Sequence, residues 1–243
     1  MTSHPAATTA LAGVGLLLLL VGCVPAAPPL AAPPQRADAT TLELPPPPEV
    51  AATSVRRQAQ EITVRIRSLG CEQFGIGSGF LLPGGVVVTN RHVIDQPRRV
   101  TVNTWDGRQL DADVTGIAVD SDLALLQLED AAGLPVARLR PTAVASDEPV
   151  VVVGFPEGGP LTVTPGEMLG LVDGQLLGEP ADVLRIDATI RQGNSGGPVL
   201  DADGAVVGVV FASEVERGTA LAVPVTTLLE RLDATELVPP AGC

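Results

Sequence analysis

Short runs rich in Val, Ile and Leu, separated by turn residues, are the feature that most constrains how this chain can fold. Each run is five to ten residues long, and Gly, Pro and Asp lie between many of them. Many short strands at close spacing favour a barrel or sandwich over alternating strands and helices. Eleven candidate strands are read in this way: 62–68, 75–82, 86–90, 99–104, 110–119, 122–128, 149–155, 183–189, 197–201, 205–212 and 219–223.

Helical patterns border this series at both ends. The segment RQAQEITVRI can begin as a short helix before it becomes a strand, and VTTLLERLD (225–233) has helical spacing. Aromatic residues make up 2% of the chain, so the core must be mostly aliphatic. The sequence therefore predicts an all-β fold of two six-stranded antiparallel barrels with a C-terminal helix, within one domain over 53–243.

The N-terminus has the pattern of an export signal. Residues 11–21 form an apolar run too short to span a bilayer but suited to a signal peptide. The run ends in Leu20-Val21-Gly22-Cys23, which resembles the bacterial lipobox, so residues 1–22 would be removed and Cys23 lipidated. No Lys or Arg precedes the run, which departs from such signals. The alternative is an ordinary cleaved signal with an incidental cysteine.

Proline-rich sequence separates this signal from the domain. Residues 24–50 contain nine prolines, a composition that favours polyproline II or disorder over a packed core. We therefore expect residues 23–52 to be a tether between the membrane and the domain. The net charge of −13 argues against nucleic acid as a partner, and the three cysteines form no metal-binding or redox spacing. No metal or cofactor is expected.

One serine, one histidine and one aspartate have the pattern of a nucleophilic site. Ser195 lies within GNSGGPV, and a serine hydroxyl needs a nearby base, a group that orients the base, and amides aimed at the developing oxyanion. His92, within TNRHVI, is the only histidine that remains once the signal is removed. Asp122 begins an apolar strand that would bury it beside the imidazole. A buried structural histidine is the alternative for His92.

The motifs TNRHVI, DSDLALLQL and GNSGGPV, in that order, resemble the trypsin-like serine proteases of the bacterial HtrA/Deg type. The resemblance covers roughly residues 60–233 and implies a double β-barrel with the active site between the barrels. In this resemblance His92 is the general base, Asp122 orients it and Ser195 is the nucleophile. The amides of Gly193 and Ser195 would form the oxyanion hole, and the substrates would be proteins or peptides.

Within this group the chain resembles the MarP-like periplasmic proteases. There too a cysteine precedes the first barrel's glycine-rich strand and another ends the chain, which here are Cys71 and Cys243. The resemblance implies a disulfide between them, with two free thiols as the alternative. HtrA proteins usually carry a PDZ domain after the protease and MarP-like proteins carry membrane helices before it. Neither pattern is present in this sequence, so regulation by PDZ-linked oligomers is not implied.

The resemblance also places a specificity pocket. In many trypsin-like enzymes the residue six before the nucleophile lies at the base of that pocket, and here it is Thr189 rather than Asp. The later wall would come from Phe211, Ala212 and Ser213, with residues 220–222 behind it. We therefore expect cleavage after small or medium apolar residues. Asn194 cannot form the ion pair that activates digestive relatives through a new N-terminus.

Two further interpretations concern control and activity. The stretch 158–178, rich in Gly and polar residues, is interpreted as a regulatory loop or as an ordinary long surface hairpin. The favoured function is an active endopeptidase. The alternative is a catalytically silent protease-fold binding module of the cell envelope.

Overall fold

Two closed six-stranded antiparallel barrels make up most of the chain in the computed structural model, which describes residues 53–177, 179–233 and 237–240. The predicted fold class is confirmed. The predicted signal (1–22), the lipidated Cys23, the tether (23–52) and Cys243 lie outside the described residues.

The first barrel follows a short amphipathic helix. Helix α1, Thr53–Ile62, buries Val55, Ala59 and Ile62 and leads directly into β1. Around the barrel the order is β1-β2-β3-β6-β5-β4, so β1 closes it by pairing with β4. The strands are β1 Thr63–Gly70, β2 Phe74–Leu82, β3 Val86–Asn90, β4 Pro97–Asn103, β5 Gln109–Ala118 and β6 Leu123–Leu128.

The second barrel repeats this plan and ends in the predicted helix. Around the barrel the order is β10-β11-β12-β9-β8-β7. Its strands are β7 Pro149–Gly154, β8 Thr162–Val172, β9 Val183–Asp187, β10 Pro198–Leu200, β11 Val206–Glu214 and β12 Thr219–Pro224. Helix α2 spans Val225–Asp233, as predicted. Neither helix of the described part is long and apolar enough to cross a membrane.

Strand β8 corrects the interpretation of residues 158–178. Thr162–Val172 pairs with β7 on one side and antiparallel with β9 on the other, so most of this stretch is a barrel strand in a hairpin rather than a loop. Met168 is its one fully buried side chain, and Gly170 has a φ of +120° beside a register shift. The strand lacks a regular apolar alternation, yet pairing at both edges satisfies its backbone hydrogen bonds.

A shared apolar core joins the two barrels. Phe80 and Val88 of the first barrel belong to one buried cluster with Val153 and Val209 of the second, and residues of α1 and α2 pack into it. Each barrel also has an aliphatic interior of its own. Because burial of aliphatic surface is the main favourable term in folding, this common core holds the barrels in a fixed relation. His92 of the first barrel and Ser195 of the second line one cleft between them.

Candidate active site

His92 and Asp122 form a close pair at one end of the first barrel. His92 lies in the 3-10 turn Arg91–Ile94 that follows β3, and Asp122 immediately precedes β6. Since β3 and β6 are neighbours that pair at Asn90 and Leu123, the two side chains meet. His92 Nδ1 lies 2.6 Å from Asp122 Oδ2. This contact leaves the other ring nitrogen, Nε2, for proton transfer.

Asp122 is held in a strained conformation by several hydrogen bonds. Its φ of 50° is left-handed, which is unfavourable for a residue with a Cβ. The amide of Arg91 and the side-chain amide of Asn90 both donate to its carbonyl oxygen, and the amide of His92 donates to Oδ1 at 3.1 Å. Strain of this kind persists where surrounding contacts hold it and is frequent at active sites.

The exposure of this pair differs between the two side chains. The Asp122 side chain is 16% exposed, whereas that of His92 is 45% exposed. Arg91 Nε lies 3.7 Å from Asp122 Oδ1 and adds a positive group beside the carboxylate. The carboxylate is therefore sheltered and oriented, and the imidazole faces the open cleft.

Ser195 lies across this cleft, in the turn between β9 and β10. The amide of Ser78, on β2, donates to the Ser195 carbonyl at 2.8 Å and so ties the turn to the first barrel. Ser195 and His92 line the same cleft, but no hydrogen bond joins their side chains in the described structure. Ser195 Oγ instead donates to the Phe211 carbonyl at 3.4 Å, beside a register shift in β11.

Both amides predicted for an oxyanion hole are available. The Gln192 carbonyl accepts a hydrogen bond from the Glu157 amide at 2.7 Å. Because a trans peptide directs its C=O and N–H to opposite sides, the Gly193 N–H points away from Glu157. Neither Gly193 N nor Ser195 N donates to any acceptor among the described residues. Two such donors could stabilise a developing oxyanion.

Glycine is required at position 193. Its φ is +95°, and a Cβ there would lie 2.4 Å from the Phe155 carbonyl oxygen. Any larger residue would therefore clash with the turn behind it, in addition to the backbone strain. The glycine density around Ser195 thus reflects close backbone approach rather than flexibility.

The residues predicted for a specificity pocket occupy different environments. Thr189, just after β9, and Ser213, on β11, are exposed. Phe211 is buried, and Ala212 is half-buried. Their role in substrate selection stays a prediction.

Sequence reasoning missed three residues that support the turn before Ser195. Ser78 Oγ donates to the Gly193 carbonyl at 2.6 Å and accepts from the Phe155 amide at 2.9 Å. Arg65 and Glu157 contribute through the turn Pro156–Gly158. The signal for Ser78 was its place in GIGSGF, whereas nothing in the sequence pointed to Arg65 or Glu157.

Two further predictions concern a disulfide and a metal site. The structure records Cys71 as disulfide-bonded, but its predicted partner Cys243 lies outside the described residues. That pairing therefore stays a prediction. Within the described residues, no group of three or more His, Cys, Asp or Glu side chains could hold a metal ion.

Comparison with known proteins relates this geometry to a family. The model for a trypsin-like peptidase domain matches residues 77–209, more than half of the chain. The serine protease Rv3671c of Mycobacterium tuberculosis is 35% identical over 194 residues, which cover 74% of this chain and 48% of that protein. The putative serine protease HhoA of Synechocystis is 36% identical over 159 residues, covering 62% and 40%. The chain thus spans about half the length of these curated relatives or less.

Solved structures agree with these sequence matches. The crystal structure of the active form of the Rv3671c protease from M. tuberculosis has a TM-score of 0.68 at 28% identity, covering 82% of this chain and 94% of that one. The HtrA-type protease AlgW with a tripeptide also has a TM-score of 0.68 at 28% identity, covering 73% and 61%. These likenesses agree with the double-barrel fold described above.

Proposed function

This chain belongs to the trypsin-like peptidase family, and from that premise we propose that it is an extracytoplasmic serine endopeptidase. In this proposal Ser195 is the nucleophile, His92 the general base and Asp122 its orienting group. The amides of Gly193 and Ser195 stabilise the oxyanion. HtrA-type serine proteases among the relatives support this class of activity.

The proposal rests mainly on the contact between Asp122 and His92. The 2.6 Å contact between Asp122 Oδ2 and His92 Nδ1 faces a cleft that Ser195 and Gly193 also line. A carboxylate in this position stabilises the tautomer in which Nε2 can accept a proton. Gly193 and Ser195, whose amides have no acceptor among the described residues, line this cleft too.

The reaction follows from these positions. Ser195 Oγ leaves the Phe211 carbonyl by rotation about its side chain and approaches His92, since catalytic contacts in a free enzyme are often long. His92 takes the hydroxyl proton as Oγ attacks the peptide carbonyl, and the amides of Gly193 and Ser195 hold the oxyanion. His92 then gives the proton to the leaving amine, and water hydrolyses the acyl-enzyme.

Substrate selection is a finer proposal. Thr189 provides no carboxylate for a basic side chain, so we expect small or medium apolar residues before the scissile bond. Phe211, Ala212 and Ser213 would form the wall of the pocket. Proteins or peptides are the substrates, and no cofactor takes part.

Location and covalent attachments complete the proposal. An export signal over 1–22, a lipidated Cys23 and a tether over 23–52 would hold the domain of residues 53–243 outside the cytoplasm at a membrane. One relative, from Haemophilus influenzae, is named as a probable periplasmic serine protease, which supports this location. Cys243 is the proposed partner of Cys71 in a disulfide.

A silent binding module is the second candidate. It is favoured by a single observation, the hydrogen bond of Ser195 Oγ to the Phe211 carbonyl instead of His92. In that case the cleft would bind peptides without cleaving them.

Labelling with a fluorophosphonate separates the two functions, because the reagent reacts only with an activated serine. We expect the parent chain to be labelled and to cleave peptides. Ser195→Ala should abolish labelling and lower kcat by about a millionfold, since the triad acts as a unit. Ser54→Ala, at an exposed serine of helix α1, is the matched control and should keep its labelling. A parent chain that binds peptide but is neither labelled nor active would contradict the endopeptidase and support the binding module.

A further inference from the structure

Arg65 is a half-buried cation that the proposed mechanism does not use. On β1 the side chains of Val64, Ile66 and Ser68 point into the first barrel, while those of Arg65 and Arg67 alternate to its outer face. Arg67 is exposed, whereas Arg65 is partly covered by the turn Pro156–Gly158 of the second barrel. Arg65 therefore spans the boundary between the two barrels.

Arg65 contacts this turn and Phe155, the residue just before it. Its Nη1 donates to the Gly158 carbonyl at 2.9 Å, and its guanidinium carbon lies 5.7 Å from the centre of the Phe155 ring. No carboxylate of the described residues lies within ion-pair distance, and Nε is buried without an acceptor there. Burial, together with the like charge of Arg67, lowers the pKa of Arg65. Burying a charge without an ion-pair partner costs free energy. The value of Arg65 at this position therefore lies in the contacts it makes with the second barrel.

The turn that Arg65 holds is itself strained. Glu157 at its centre has a φ of 56°, in the left-handed region. Gly158 N donates to the Phe155 carbonyl at 2.9 Å and closes the turn. A strained turn of this kind needs contacts that fix it, and the guanidinium supplies one from outside the second barrel.

The same turn sets the direction of the Gln192–Gly193 peptide. The Glu157 amide donates to the Gln192 carbonyl at 2.7 Å, which directs the Gly193 N–H away from the turn, and Gly193 lines the cleft. Glycine at position 193 permits rotation of this peptide, because no Cβ restricts its backbone angles. If the Glu157 amide moved away, the carbonyl could turn into the cleft and the oxyanion would lose one of its two donors.

We propose that Arg65 is a positioning residue for the oxyanion hole. It holds the turn Pro156–Gly158 across the barrel boundary, and the turn holds the Gly193 N–H toward the substrate. This inference rests on the proposed endopeptidase function and deepens it. It assigns part of the catalytic preorganisation of the second barrel to a side chain of the first.

Substitution of Arg65 tests the inference through kcat. Arg65→Met keeps the apolar stem but removes the charge and the hydrogen bond to Gly158. We expect kcat to fall about tenfold or more with KM within about twofold, since loss of a whole oxyanion donor costs on the order of a hundredfold to a thousandfold. Arg65→Lys should recover most of the kcat, because an ammonium can still donate to the Gly158 carbonyl and lie near the Phe155 ring.

A pair of inhibitors provides a readout that a purely structural role would not change. A peptide boronate forms a tetrahedral adduct with the serine and places an oxygen in the oxyanion hole, whereas a product peptide whose terminal carboxylate is replaced by hydrogen has no oxygen there. Arg65→Met should weaken boronate binding by about the same factor as kcat and leave product affinity unchanged. Arg67→Met is the matched control, since it removes the same charge from an exposed neighbour on the same strand and should change neither.

Three outcomes would overturn the inference: an unchanged kcat in Arg65→Met, an equal loss of boronate and product affinity, or an equal effect of Arg67→Met. If Arg65→Met does not fold, Phe155→Leu carries the test, because it removes the ring beneath the guanidinium and should also lower kcat with little change in KM. An active, fluorophosphonate-labelled parent with normal kcat in these variants would reject the role of Arg65 alone. An inert parent would reject the proposed function as well.

Discussion

At the residue scale, Asp122 combines backbone strain with close hydrogen bonding to the imidazole. Its φ is left-handed, two donors from Asn90 and Arg91 hold its main-chain carbonyl, and the His92 amide holds the carboxylate. The charge and the acceptor character of the carboxylate both contribute to the proposed catalysis. An amide of the same shape would retain the packing but lose the charge and replace one acceptor oxygen by a donor.

Asp122→Asn should lower kcat by about a thousandfold to ten-thousandfold with little change in KM. The side-chain amide can donate to His92 Nδ1 and so stabilise the tautomer that cannot accept the serine proton at Nε2. Steady-state hydrolysis of a peptide substrate measures this effect, with circular dichroism to show that the fold is kept.

Asp120→Asn is the matched control for this substitution. Asp120 lies two residues earlier and carries the same charge, but it pairs with Arg231 of α2 rather than with His92. Its kcat should stay close to that of the parent. Comparable losses in both variants would show that charge near the site, rather than the contact with Nδ1, accounts for the effect.

At the element scale, the connection between the barrels, residues 129–148, is fixed to both of them. The amide of Ala137 donates to the Leu81 carbonyl in the first barrel, and the amide of Arg140 donates to the Val206 carbonyl in the second. Arg140 also pairs with Glu148 at 2.7 Å and lies 3.4 Å from Asp201. The connection is therefore part of the folded structure rather than a free linker.

Glu148→Gln should lower stability in a manner that depends on pH. Hydrogen bonds from the Arg140 side chain and then from the Ala145 amide hold the pKa of Glu148 below its ordinary value of 4.5. A carboxyl whose pKa is lower in the folded than in the unfolded state stabilises the folded state at pH values above its ordinary pKa. This stabilisation is lost as the pH falls through the lowered pKa. The variant should thus have a lower urea midpoint at pH 7 and approach the parent in acid.

The control for this prediction is Glu129→Gln, an exposed carboxylate at the start of the same connection. It removes the same charge without breaking the Arg140 pair and should leave the midpoint unchanged at both pH values. A deficit for Glu148→Gln that stayed constant from pH 7 into acid would contradict the titration of Glu148 as its cause.

At the scale of the whole molecule, the two barrels contribute different parts of one site. The first supplies His92 and Asp122 and, through Ser78 and Arg65, also supports the turn before Ser195. The second supplies Ser195 and its amides. The apolar core between the barrels keeps these parts in register, so the site depends on the whole fold.

Lipid attachment is a prediction about the whole chain. If Cys23 is lipidated, the parent expressed in a bacterium should incorporate labelled palmitate and sediment with membranes. Cys23→Ser should lose the label, because position 23 no longer has a thiol to carry the diacylglycerol. Ser195→Ala, which leaves the signal intact, should be labelled like the parent. Equal labelling of Cys23→Ser would contradict a lipid anchor at that residue.

The sequence by itself determined the fold class and the candidate triad. Strands with regular apolar runs were predicted, because burial of one or both faces leaves a pattern in the chain. Strand β8 was missed, since it is stabilised by pairing with β7 and β9 rather than by a buried face of its own. Ser195, His92 and Asp122 stood out because their chemistry requires those residue types in distinctive local motifs.

Only the tertiary structure decided how the site is held together. The contact of His92 with Asp122, the hydrogen bond from Ser78 to the Gly193 carbonyl and the placement of Arg65 over Phe155 all join residues distant in sequence. Such contacts leave no local pattern, because any residue of suitable size and polarity could occupy each position in isolation. They form only when the fold brings the residues together. Packing of the two barrels, for example, brings the Gly158 carbonyl of the second within reach of Arg65 of the first.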